Sequence, residues 1–317
     1  MTTKPPFDSL PLQKGRPDGN AWGLYGADDE CGTLNLLTPD TVAEAASREI
    51  RDSVRVSTDW SLNAMPTPCF GRLAFQHEIK SKAPRPVYDD VLVFNTQSSS
   101  QWDGLRHYGY QKEKLFYNGR TRDEIEKSNV NGIHAWVERG GIVGRGVLLD
   151  YATWAEGRGI KLTPFEAASI PVSTLKEVAS SQGVDFRKGD ILFIRTGWIR
   201  AYERLTDGEK LALAQQAKLS AAGVESSEET LRWIWEQDFA AVAGDQPSFE
   251  TWPCQDTNFW LHEWLLAGWG MPIGELFDLE KLSQECQKRK RWSFFFSSIP
   301  LKVPGGVASP PNGVAIF

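Results

Sequence analysis

Gly189-Asp-Ile-Leu-Phe-Ile-Arg-Thr196 is a turn followed by a nearly unbroken apolar run, the pattern of a strand buried on both faces. Two other stretches read the same way. Upstream, residues 141–151 (GIVGRGVLLDY) are an apolar run with glycines at its entrance. Downstream, residues 239–243 are a short apolar run that stops at Gly244 and Asp245. Segments of helical character lie between them. Residues 173–181 (STLKEVASS) predict a helix with Ser173 placed to cap it, and residues 220–238 mix polar and apolar residues at helical spacing. Strands alternating with helices make the fold α/β. The strands are many and short, and few clear βαβ units appear, which argues against a doubly wound parallel sheet.

Working outward, residues 38–50 begin with a capping Thr38-Pro39-Asp40 cluster and predict a helix. Residues 54–62 alternate apolar and polar and predict a strand. Residues 91–94 read as a short apolar strand, followed by the polar, Ser-rich stretch NTQSSSQWDGLRH. Residues 259–269 read as a strongly apolar helix, 272–276 as a strand or loop, and 293–317 hold two apolar runs around PLKVPGGVASPP. Residues 1–20, rich in Pro, Gly and charge, read as an extended arm, leaving 21–317 as one domain. No internal repeat or low-complexity linker appears.

The 317 residues are 41% hydrophobic and 24% charged, ordinary for a soluble globular chain with a sizeable core. A net charge of -6 argues against nucleic acid as a partner, because phosphate binding needs a positive surface. The four cysteines, Cys31, Cys69, Cys254 and Cys286, form no CxxC pair, so a thiolate zinc site is not expected. Free thiols, no apolar signal segment in MTTKPPFDSL and no apolar run of membrane-spanning length lead us to expect a cytoplasmic protein. Thirteen tryptophans are many, and Trp233, Trp235, Trp252, Trp260, Trp264 and Trp269 fall in the last third. They read either as core and interface packing or as the walls of a pocket for a flat organic ligand.

Four histidines, His77, His107, His134 and His262, limit the chemistry. Gln97, Gln101, Trp102, Asp103 and His107 share the polar stretch after residues 91–94, where α/β proteins place functional loops. Asp103 there reads as a metal ligand or histidine orienter and His107 as an acid or base, or the whole reads as a hydrogen-bonded turn. His262 sits in Phe-Trp-Leu-His-Glu-Trp-Leu-Leu and Glu275 in Pro-Ile-Gly-Glu-Leu-Phe. Both are polar groups in apolar settings that need partners, and together they suit a divalent metal or proton transfer. Asp245, at a strand end, caps a turn or shapes a pocket. His77 reads as structural on an amphipathic strand, and His134, close to Trp136, as a candidate pocket wall.

Residues 22–37 (WGLYGADDECGTLNLL), 141–150, 189–198, 239–247 (FAAVAGDQP), 262–278 (HEWLLAGWGMPIGELFD) and 297–317 together resemble the cyclase family, which includes kynurenine formamidase and isatin hydrolase. The resemblance implies a swivelling β/β/α fold, a small β-barrel-like core flanked by helices, and a homodimer or homotetramer. The typical metal motif is HxGTHxDxPxH. With Asp103 as the motif's Asp, its last His falls on His107 and the downstream ligands fall on His262 and Glu275. Its first two imidazoles fall on Gln97 and Gln101, its Gly-Thr pair on Ser99 and Ser100, and its Pro on Leu105. A neutral amide oxygen is a weaker ligand than imidazole. The resemblance therefore implies one divalent metal, Zn or Mn, on Asp103, His262 and Glu275 with Gln101 as a weak fourth arm, or none.

Three functional expectations follow. The first is a hydrolase of an amide, formamide or lactone-like bond in a small aromatic substrate, with His107 moving the proton and Gln97, Gln101, Trp102, His134 and Asp245 about the substrate. The second is a metal-free lyase (a dehydratase or cyclase) of secondary metabolism, with His107 and His262 as acid and base. The third is a non-catalytic binding protein that keeps the fold.

Overall fold

The computed structural model describes residues 4–216 and 218–317. In chain order the described strands are β1 (Arg55–Ser57), β2 (Gln76–Ser81), β3 (Tyr88–Val93), β4 (Gln101–Asp103), β5 (Ile142–Leu149), β6 (Ser169–Ile170), β7 (Ile191–Ile194), β8 (Gly223–Val224), β9 (Ala241–Gly244), β10 (Ile273–Glu275), β11 (Ser293–Ser298), β12 (Ala308–Ser309) and β13 (Gly313–Ile316). Nine form one sheet in the order β1-β13-β11-β5-β7-β9-β10-β4-β12. Its centre, β5-β7-β9-β10, is parallel, and its flanks are antiparallel. The sheet curls into a half-barrel with helices around it.

The three apolar runs of the opening reading become β5, β7 and β9, neighbours at the sheet's centre. Parallel strands covered on both faces need continuous apolar sequence, and all four residues of β7 and of β9 are buried. The helix at Pro39–Glu49 forms as its cap predicts, with the Thr38 side chain accepting from Thr41 N. Phe7 of the N-terminal arm is buried and stacks on Trp264 at 5.9 Å. The arm is thus anchored at Phe7 and at Pro17, Gly19 and Asn20, while residues 13–16 are exposed.

Several expectations need correction. The strand expected at 54–62 is only Arg55–Ser57, because Trp60 N turns away to donate to Ser100 Oγ at 2.6 Å. The helix at Val172–Gln182 starts one residue before Ser173, with Pro171 at its N-cap position. Within 220–238 only Glu228–Glu236 is helical, capped by Ser227, and Gly223–Val224 is a strand. Residues 91–94 do not enter a buried strand. Tyr88–Val93 pairs with Gln76–Ser81 as a hairpin exposed on both faces. His77 lies there, bonded to Asp90 at 3.0 Å, so its strand is not amphipathic. The buried strand is the next one, Gln101–Asp103, inside the stretch that composition alone marks as loop.

Candidate active site

Register builds the site. β10 and β4 run antiparallel with Glu275 opposite Gln101, Gly274 opposite Trp102 and Ile273 opposite Asp103. Opposed residues share a face and alternate residues return to it. Gln101, Asp103 and Glu275 therefore lie on one face and Trp102 on the other. Trp102 is fully buried, packs edge-on to Phe277 at 5.0 Å and donates its Nε1–H to Ser298 Oγ at 2.9 Å. Glycine at 274 makes room: a Cβ there would fall 2.6 Å from Phe277 and 3.0 Å from Trp102. Trp102 thus stands in the core, away from a substrate.

His262 arrives from the other side. It precedes a π-helical stretch, Glu263–Trp269, which ends at Gly270 with φ 68°. Such wide turns are rare and recur at functional sites. His262 Nδ1 lies 2.6 Å from Glu250 Oε2, and its Nε2 lies 3.2 Å from Glu275 Oε1 and 3.8 Å from Asp103 Oδ2. Burial alone would lower the imidazole's pKa. The charge and hydrogen bond of Glu250, and then Glu275, carry it well above the ordinary histidine value. Burial raises the Asp103 carboxyl above the usual carboxylate range; His107 opposes this and Glu275 adds to it. His107 completes the group from the turn after β4, its Nε2 4.0 Å from Asp103 Oδ2 and its side chain partly open to solvent.

Gln97 and Gln101 hold the carboxylates. Gln97 Nε2 donates to Asp103 Oδ1, and Gln101 Nε2 donates to Glu275 Oε2 at 2.8 Å and to Gln97 Oε1 at 3.2 Å. Glu275 Oε1 also accepts from Phe249 N at 3.1 Å. Among the described residues no donor reaches two buried oxygens of this group, Asp103 Oδ2 and Gln101 Oε1. Asp103, His107 and His262 each offer a ligand atom, all within 4.8 Å of one another. Three buried carboxylates, Asp103, Glu250 and Glu275, surround one imidazole. That excess of negative charge calls for a proton or a cation. With Nδ1–H turned to Glu250, His262 can offer Nε2 as a ligand, the usual carboxylate–histidine–metal arrangement. The residues fit a divalent cation.

A cavity of about 200 Å³ opens onto this centre, lined by Phe70, Arg72, His107, Tyr108, Pro247, Ser248, Trp252, His262 and Glu275. Ser248 Oγ is buried there without a partner among the described residues. Trp252 is thus a wall, whereas Trp233, Trp235, Trp264 and Trp269 are core residues.

Two other expected site residues stand apart. Asp245 accepts from Thr196 N, Thr196 Oγ1 and Gly197 N at 2.6, 2.8 and 2.9 Å, so it ties a turn together, with burial pushing its carboxyl up to about 6. His134 starts a short helix, where its Nδ1 accepts from Gly305 N at 3.4 Å, and it does not line the cavity. Sequence reasoning missed Glu250, Arg72, Tyr108 and Ser248. Glu250 carried a signal, a carboxylate in Ser-Phe-Glu-Thr-Trp, the same kind of apolar setting that marked Glu275. Arg72 carried none.

Comparisons with known proteins agree with this architecture. The chain is similar to a solved structure described as a novel cyclase, 28% identical over 94% of this chain and 99% of that one, with a TM-score of 0.83. It has the fold of isatin hydrolase A from Labrenzia aggregata, solved with benzyl benzoate (17% identity, 89% and 98% coverage, TM-score 0.59), and of the Ralstonia solanacearum isatin hydrolase A (17%, 88% and 97%, 0.59). No curated protein sequence matches. No described helix is long and apolar enough to cross a membrane. The Cyclase family model ("Putative cyclase") matches residues 61–251, and the chain belongs to that family.

Proposed function

We propose that the chain is a hydrolase that cleaves an amide, formamide or lactone-type bond in a small aromatic substrate, using one divalent cation, Zn or Mn, on Asp103 and His262. The observation that carries this reading is Asp103 Oδ2, a buried carboxylate oxygen with no donor among the described residues that faces two imidazole nitrogens at 3.8 and 4.0 Å. Glu275 is less available as a ligand than the family resemblance implies, because both its oxygens already accept N–H groups. When bound, the cation supplies Lewis acidity toward a scissile carbonyl and its attacking water. Glu250 fixes the ring of His262 and its tautomer. His107, at the boundary with solvent, moves the proton. Ser248 Oγ is placed to donate to the substrate, and Phe70, Tyr108 and Trp252 flank a planar ring. Hydrolysis by the isatin hydrolases of the same fold, one of them solved with the product analogue thioisatinate, supports the reaction class.

One observation favours a metal-free lyase instead, with His107 and His262 as acid and base. The amides of Gln97 and Gln101 already satisfy an oxygen each of Asp103 and Glu275, and a proton on Asp103 would ease the remaining charge. Metal analysis of protein purified without chelator separates the two, combined with assays on aryl esters, lactones and formanilides before and after chelation. Activity lost on chelation and restored by Mn or Zn supports the hydrolase. Full activity in metal-free protein sinks the cation reading.

A further inference from the structure

Arg72 is the one Lys or Arg among the described residues lining the cavity. Its Nη1 donates to Gln97 O at 2.6 Å, and its guanidinium carbon lies 4.8 Å from the ring centroid of Phe70. Among the described residues no carboxylate pairs with it, whereas Arg145, Arg195 and Arg289 each hold carboxylates. Guanidinium has five donors in a planar fork suited to a carboxylate. One bond to a main-chain carbonyl fixes the fork and leaves donors unspent.

The cavity's lining carries charge of both signs. Glu275 and His262 line it, with Asp103 and Glu250 bonded or close to His262, and Arg72 is its guanidinium. A ligand anion is repelled by the carboxylates and attracted to the guanidinium. Phe70 and Trp252, 5.7 Å apart and edge-on, supply aromatic surface beside it. Phe70 has φ 61° and is 40% exposed. A left-handed backbone is uncommon for a bulky residue and clusters at ligand sites. The volume of about 200 Å³ sets the size, since a cavity of roughly 150 Å³ takes a benzene.

We propose that Arg72 makes a carboxylate subsite in this cavity, and that the ligand is a single-ring aryl carboxylate whose acid group sits on Arg72. The assignment rests on the proposed hydrolase reading for the location of the reacting bond, beside His262 and Asp103.

Binding tests it without turnover. The as-purified protein is titrated with benzoate and with benzamide, by calorimetry or by quenching of tryptophan emission, in wild type, Arg72→Gln and Arg72→Lys. Benzoate is expected to bind the wild type at least about tenfold more tightly than benzamide, the scale of a charge-assisted pair. Arg72→Gln removes that preference, leaves benzamide affinity unchanged and so shows an intact cavity; Arg72→Lys keeps part of the preference. Equal affinity for the two probes in the wild type, or benzoate binding indifferent to Arg72→Gln, overturns the subsite. Arg72-dependent benzoate binding in a protein that hydrolyses no aryl substrate, with or without metal, upholds the subsite and removes the hydrolase reading instead.

Discussion

Asp103 and Asp245 invite direct comparison. Each stands at the end of a buried strand, and each is fully buried. Asp245 receives three donors from one turn, Thr196 and Gly197. Asp103 receives one, from Gln97, and its second oxygen has none among the described residues. A buried carboxylate saturated by donors of one turn holds a fold together. One left half-satisfied between imidazoles is costly, and such a cost is kept where a ligand or proton answers it. Burial and position are the same in both, so what separates them is the set of partners.

The largest effect should come from the site side of this comparison. Substituting His262→Gln should lower kcat/KM about a thousandfold, because it removes the imidazole that holds the cation or, in the lyase reading, the acid or base, measured on protein whose circular dichroism matches the wild type. A loss under tenfold would move Asp103 toward the structural class of Asp245. Next, Glu250→Gln should cost about 10–100-fold in activity or cation affinity, because it loosens the orientation of His262 without removing it. Cation titration and steady-state kinetics read both arms, and unchanged values in both would make Glu250 a bystander.

The smallest effect belongs to Asp245. Asp245→Asn should leave kcat/KM within about twofold and lower unfolding free energy at pH 7 by about 1–3 kcal/mol, the range for buried donors losing their acceptor. Its pH signature has a definite sign. Burial pushes the folded carboxyl up to about 6, so between about pH 4 and pH 6 the folded chain binds more protons than the unfolded chain. This contribution is fully present at the acid end and is lost as pH rises through the folded pKa. Urea unfolding across that window should show a shallower fall in the Asp245→Asn variant than in the wild type. Asp190, also pushed up to about 6 by burial, keeps part of the slope in both.

Much of the fold was legible because its signals are local. The centre of the sheet declared itself as apolar runs, and the helix at Pro39–Glu49 through its cap. What failed was the stretch from 91 to 107, where two environments meet within ten residues. Exposed Val91 and Val93 look buried by composition, and buried Gln101 and Asp103 look like loop. Strand burial depends on which neighbour pairs, and the hairpin of β2 and β3 finds none beyond itself.

Sequence by itself determined the family, the α/β class and four of the groups that converge: His262 and Glu275 because polar residues in apolar runs stand out, Asp103 and His107 because they are the titratable pair in a polar stretch that follows a strand and matches the family motif. Only the tertiary structure decided how those groups are used. Gln101 and Glu275 are 174 residues apart and meet through strand register; Glu250 reaches His262 across a loop; Asp245 and Trp102 turn away. Hydrogen-bond partnership is a property of positions in space at about 3 Å, and no spacing along the chain encodes it.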